Sequence, residues 1–150
     1  MSIEKDISSR FRNDYQKAGV NLIFTYNWMN EKMKAIFDRH DITPQQFNIL
    51  RILRGAGKPI STLQIRQRML DKMSDTSRIV DRLILKGLAT KAVCPKDKRL
   101  VDVSISTPGL ELLQKMDVYE TDIDAIFGNL SEAETKTFNS LLDKIRGSND

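Results

Sequence analysis

Arg78 and Arg82 stand four residues apart, with Ser74, Asp75 and Ser77 just before them. On a helix, residues at that separation lie on one side. A guanidinium is a rigid fork of donors that matches a phosphate or the O6/N7 edge of guanine, and serine hydroxyls can meet either kind of acceptor. Downstream, Lys96, Lys98 and Arg99 surround Asp97 in a second cationic group. The chemistry on offer is recognition of an anion by hydrogen bonds and charge, with no bond made or broken.

The charge distribution points the same way. Residues 51–99 hold 13 Lys+Arg and 4 Asp+Glu, a balance of +9, while the remaining 11 Lys+Arg and 16 Asp+Glu give −5, within a net charge of +4. A basic middle between acidic ends fits a central module that meets a polyanion.

Other chemistries lack their residues. A single cysteine, Cys94, excludes an internal disulfide, and with a single histidine, His40, it cannot form a dedicated structural zinc site. There is no glycine-rich phosphate loop, no Gly-x-Ser-x-Gly elbow and no metal triad. Acidic pairs such as Asp122/Asp124 and Glu132/Glu134 read as solvated helix faces. No enzyme and no cofactor are expected. Residues 1–12 are polar and lack the apolar core of a signal peptide. No apolar run approaches the ~20 residues needed to span a bilayer. The expectation is a soluble cytoplasmic protein with no membrane partner.

The elements that must position these side chains are legible in period and caps. Phe11, Tyr15, Ala18, Leu22, Tyr26, Met29, Met33 and Ile36 fall at steps of three and four, which predicts a long helix over residues 9–39. Such a helix usually packs against something beyond its own globule, often a second chain. Thr43-Pro44 with Gln46 is a capping box with proline at the first helical position, stapled by Ile42 and Phe47. Ser61 with Gln64 repeats the device, with Ile60 and Ile65 as staple, and starts a short helix ending near Leu70. A third helix starts between Asp71 and Ser74, both suitable caps, and runs to Lys86 before the stop at Gly87. Val80, Leu83 and Ile84 are its apolar side. Val101, Val103 and Ile105 alternate with Asp102, Ser104 and Ser106 as a half-buried strand. Residues 88–94 are its weaker partner across a turn at Pro95–Lys98. Thr107, read as a cap before Pro108, and Ser131 with Glu134 start two closing helices.

Two short helices across a tight connection have helix-turn-helix proportions, and such a unit leads with the N-terminal turns of its second helix into the major groove. That assigns Ser74, Asp75, Ser77, Arg78 and Arg82 to base edges or nearby phosphates of duplex DNA. The hairpin that follows is a wing, with Lys96, Lys98 and Arg99 for the backbone or minor groove.

The stretch from Asp75-Thr76-Ser77-Arg78 through Asp81-Arg82-Leu83 to Lys86-Gly87-Leu88 resembles the recognition helix of the MarR (multiple antibiotic resistance regulator) family. Pro95-Lys96-Asp97-Lys98-Arg99, then Val101 to Ile105 and Thr107-Pro108-Gly109, resembles that family's wing and exit into the next helix. The resemblance covers nearly the whole chain. It implies a mainly α fold with a small β-hairpin wing, in one unit. Residues 41–106 would form the winged helix-turn-helix lobe, and residues 1–40 and 107–150 a helical dimerisation layer. It implies a homodimer on a pseudo-palindromic operator, with half-sites ~10 bp apart, and repression relieved by a small molecule or oxidant. By the same analogy Asp97 and Arg99 organise the wing, and Asp81 is expected to pair with Arg99. Arg66 must extend outward, where it can touch a phosphate. Effectors in the family bind where the dimerisation layer meets the lobe, which makes Tyr26, Trp28 and Phe47 candidate pocket residues; with Phe24 and Phe37 they otherwise read as core. Cys94 reads as a small strand residue rather than a redox sensor, and His40 as a helix C-terminal residue rather than a metal ligand. Two other readings remain: a winged-helix protein–protein adaptor, and a small-molecule-binding helical dimer that never meets DNA.

Overall fold

A computed structural model describes residues 2–8, 10–93, 95–97, 99 and 101–147. The chain divides into two compact units, Met1–Ile36 and Phe37–Asp150.

The first unit holds a short helix α1 (Ile3–Asp6) and most of helix α2 (Asp14–Arg39). Helix α2 begins later than the apolar period predicts. Asn13 Oδ1 accepts the Gln16 N–H at 2.9 Å, and Gln16 Oε1 accepts the Arg12 N–H at 2.7 Å. This reciprocal pair satisfies amides that the first turn leaves without partners, so the helix starts there. Lys17 ties α2 to α1 through Glu4 at 2.5 Å. Met29, Met33 and Ile36 of the predicted stripe are half-buried, but Tyr15 is 90% and Tyr26 61% exposed.

The second unit takes the last residues of α2 and then helix α3 (Pro44–Ala56), capped by Thr43 and Gln46 in the predicted box. Strand β1 (Ile60–Ser61) leads into helix α4 (Thr62–Arg68), with the predicted Ser61/Gln64 box. Helix α5 (Thr76–Leu85) follows, then strands β2 (Ala89–Val93) and β3 (Val101–Ile105). The expected hairpin is part of a three-stranded antiparallel sheet of order β1-β3-β2. Ile60 pairs with Val103 and Ala89 with Ile105. Two residues carry too little alternation to announce a strand; β1 exists because β3 has a free edge to receive it.

The core gathers Ile49, Leu50 and Leu53 of α3, Ile65 of α4, Val80 and Leu83 of α5, Ile60, Ala89 and Val103 of the sheet, and Leu113 and Met116 of the next helix. That helix, α6 (Thr107–Met116), is capped by Ser106 rather than by Thr107. Ser106 Oγ accepts the Gly109 N–H at 3.1 Å and donates to the Gly87 carbonyl at 2.6 Å, so one hydroxyl joins α6 to the end of α5. Gly109 has no room for a side chain: a Cβ there would lie 2.2 Å from the Leu88 carbonyl oxygen.

The helical spacing that runs on to Ile126 is interrupted by a 3-10 segment (Asp117–Tyr119) before helix α7 (Glu120–Ala125). Arg54 of α3 grips Asp117 with two bonds of 2.9 and 3.0 Å, and His40 meets Tyr119 edge-on at 5.7 Å. Helix α8 (Glu132–Ile145) closes the description, with the predicted Ser131/Glu134 box. No helix of the described residues is long and apolar enough to cross a membrane.

Candidate nucleic-acid interface

Helices α4 and α5 pack on each other and on α3, and the connection between them is braced from two sides. Asn48 of α3 accepts the Leu70 N–H at 3.0 Å. Asp71 Oδ1 accepts the Met73 N–H at 3.0 Å, forming an Asx turn. Asp71 is therefore spent inside the connection, and Asp75 caps α5, its Oδ1 accepting the Arg78 N–H at 3.1 Å. This corrects the expected start at Asp71–Ser74: three acidic or hydroxyl side chains suit a cap, and tertiary placement of the turn chooses among them. Gly87, at φ +72, ends the helix with the left-handed turn that glycine adopts without strain.

Val80 and Leu83 are buried and Ile84 half-buried, which leaves Ser77, Arg78 and Arg82 exposed along the other side of α5. Ser74 precedes the helix, half-buried. Its hydroxyl, like that of buried Thr76, has no hydrogen-bond partner among the described residues. Thr62, Leu63 and Arg66 of α4 and Met73 to Ser77 line one open cavity of about 490 Å³. Arg66 is exposed along it, as its length requires.

The wing carries Lys96, exposed, and Arg99, whose side chain is 90% exposed. Lys98 and Cys94 lie outside the described residues. Arg99 folds back on Asp97: its Nε and main-chain N–H donate to Oδ1 at 3.1 and 3.0 Å, and Nη2 to Oδ2 at 3.3 Å. The Arg99 guanidinium, then its N–H, holds the Asp97 carboxyl below its usual range. The expected Asp81–Arg99 pair is not made. Asp81 of α5 instead takes Lys91 of β2 at 3.2 Å, because the wing strand passes α5 at its base while its tip turns on Asp97. Lys91 was legible only as one more cation; its role as the tie between wing and helix needs the hairpin register.

Phe47 packs edge-on against Phe37, centroids 5.4 Å apart, and Arg51 lies 5.8 Å from its ring. On α2, Tyr26 is exposed, and Trp28 lies under the Lys32 ammonium at 4.8 Å. A second cavity of about 290 Å³ is lined by Leu53, Arg54, Lys58, Pro59, Ile105 and Leu110 among others. Neither cavity includes Tyr26, Trp28 or Phe47. No group of three His, Cys, Asp or Glu among the described residues could hold a metal ion.

Residues 40–100 match the model of the MarR family. An uncharacterized HTH-type transcriptional regulator of Bacillus subtilis, YkoM, is 30% identical over 106 residues, 70% of this chain and 68% of that protein. A mutant MarR from E. coli, solved in complex with operator DNA, superposes with a TM-score of 0.79 at 24% identity, over 91% of this chain and 99% of that one. Bordetella bronchiseptica BpsR, studied for regulation of its DNA binding by 6-hydroxynicotinic acid, gives a TM-score of 0.74 at 24% identity, over 87% and 98%. The last two likenesses establish the fold. With a capped recognition helix, a braced turn and a basic wing on one lobe, this chain belongs to the MarR family of winged helix-turn-helix transcription regulators.

Proposed function

We propose that the chain is a homodimeric repressor that binds a pseudo-palindromic operator and is released by a small-molecule effector. The observation that carries the reading is the face of α5, where Ser77, Arg78 and Arg82 are exposed beside a cationic wing in a segment of charge +9. Arg78 and Arg82 read base edges or adjacent phosphates, with Ser77 and Ser74 beside them, and Asp75 sets their helix end. Lys96, Lys98 and Arg99 hold the wing on the backbone or minor groove.

Residues 41–106 form the DNA-binding lobe in this reading, and residues 1–40 and 107–150 the dimerisation layer. Exposed apolar side chains support the second assignment: Tyr15, Leu22, Ile23 and Tyr26 on α2, and Leu141 and Ile145 on α8. Bare surface of that kind marks an interaction site. The effector part is supported by the regulated DNA binding of BpsR. Tyr26, Trp28 and Phe47 are the aromatic contacts proposed for it.

The test is selection from randomised duplex DNA across a salt series, with the mass of the bound species measured by ultracentrifugation. An enriched inverted repeat, two chains per site and affinity that falls steeply with salt are expected. A monomer on DNA, or no enriched sequence after refolding to remove any carried-over ligand, overturns the reading.

A further inference from the structure

Two exposed apolar side chains of the second unit, Met73 and Leu63, stand where a polar face is expected. Met73 is 93% and Leu63 62% exposed, and both line the cavity that also holds Arg66, Asp75 and Ser77. Single exposed apolar residues are common on any surface. Here, however, both edge the same opening as the N-terminal turn of α5. Met73 is not on a loose loop: its N–H is held by Asp71, the next residue's N–H by the Asp71 carbonyl at 3.3 Å, and the Leu70 N–H by Asn48. Leu63 sits on α4 three residues before Arg66, on the same face.

Resting on the reading of α5 as the major-groove helix, we infer that Met73 and Leu63 are specificity-determining contacts to thymine 5-methyl groups. The major groove presents one apolar group, that methyl, and side chains distinguish thymine by packing on it. The partner follows from what surrounds the two residues. The cavity lies within the basic segment, where Arg66 can neutralise a phosphate at its rim. Ser77 lines the opening and is also exposed on the base-reading face, one residue before Arg78. An acidic or apolar protein surface would explain one half of this composition; a thymine-bearing groove flanked by phosphates explains both.

Uracil keeps thymine's pairing and lacks only the methyl, which makes the test direct. The operator recovered by selection is resynthesised with deoxyuridine at one thymine at a time, and affinity is measured for the full-length protein. Wild type is expected to weaken about fourfold at each of two thymines per half-site, the effect of one buried methyl group at each. In Met73→Gln the penalty disappears at one of those positions, and in Leu63→Gln at another, with overall folding checked by thermal melting. Leu70→Gln, 86% exposed in the wild type but outside the cavity, keeps both penalties. If wild type binds thymine and uracil operators equally, or if both variants keep the full penalties, the inference is wrong while the regulator reading stands. If no operator is recovered, both fall together.

Discussion

Lys91 Nζ lies 3.2 Å from Asp81 Oδ1, so the base of the wing is tied to the middle of the recognition helix by one ion pair. The two side chains are 47% and 61% exposed. Pairs as wet as this contribute less than about 1 kcal/mol to stability, so urea unfolding should barely distinguish Asp81→Lys or Lys91→Asp from wild type. Their effect belongs to the angle of the wing. Each single change is expected to weaken operator binding, and the charge-swapped double variant to recover most of the loss. A double variant no better than the worse single one would leave the pair without a role in holding the wing.

Gly109 is expected to be irreplaceable on steric grounds. An added Cβ meets the Leu88 carbonyl oxygen at 2.2 Å and Ile105 Cγ1 at 2.8 Å, and backbone cannot step aside as a flexible side chain can. Gly109→Ala should lower the unfolding free energy by about 1–3 kcal/mol, the range for overpacked sites. Denaturant midpoints read it directly, and a change under about 0.5 kcal/mol would contradict the close approach.

Arg54 and Asp117 form the two-bonded pair that anchors the 3-10 segment to α3, with side chains 32% and 42% exposed. Good geometry raises its worth and the exposure limits it. A double-mutant cycle with Arg54→Gln and Asp117→Asn should return a coupling of about 0.5–1 kcal/mol, diminished by salt. A coupling of zero would mean that the segment is held by packing alone.

The division between reading and positioning is open to a salt series. Arg78→Ala should cost about 1–3 kcal/mol at the selected operator and much less on random duplex, relaxing specificity. Lys96→Ala should weaken both alike and reduce the salt slope by about one. Equal losses on both DNAs for both variants would remove the distinction.

The wing turn should depend on pH in the acid range only. Hydrogen bonds from the Arg99 side chain and N–H hold the Asp97 carboxyl below its ordinary value of 3.8. A carboxyl lowered on folding contributes order above that value, and the contribution fades as pH falls through the lowered one. The amide signal of Arg99 should therefore stay fixed from neutral pH down to about the ordinary carboxylate range and shift below it. A transition near pH 6 would point to a different group.

Much of this protein is legible in its residues because the relevant interactions are local. The boxes at Thr43/Gln46, Ser61/Gln64 and Ser131/Glu134 close within one turn, so neighbours three apart in sequence suffice to place three helix starts. Alternation from Val101 to Ile105 marks the strand β3, whose centre Val103 is buried, and the cationic side of α5 follows from where Val80 and Leu83 must go. Sequence alone therefore determined three helix starts, the strand β3 and the cationic side of α5. Tertiary structure decided what several equivalent residues could have done. Asp71, Ser74 and Asp75 are all chemically able to cap α5, and the Asx turn braced by Asn48 gives the role to Asp75. Ser106 displaces Thr107 as a cap because its hydroxyl also reaches Gly87. Asp81 could have met any wing cation, and the strand register delivers Lys91 while Arg99 stays with Asp97. Strand β1, two residues long, exists only because a distant edge accepts its hydrogen bonds. Each of these choices is made between groups far apart in the chain, where a side chain's type sets what it can bond and only folding sets what it meets.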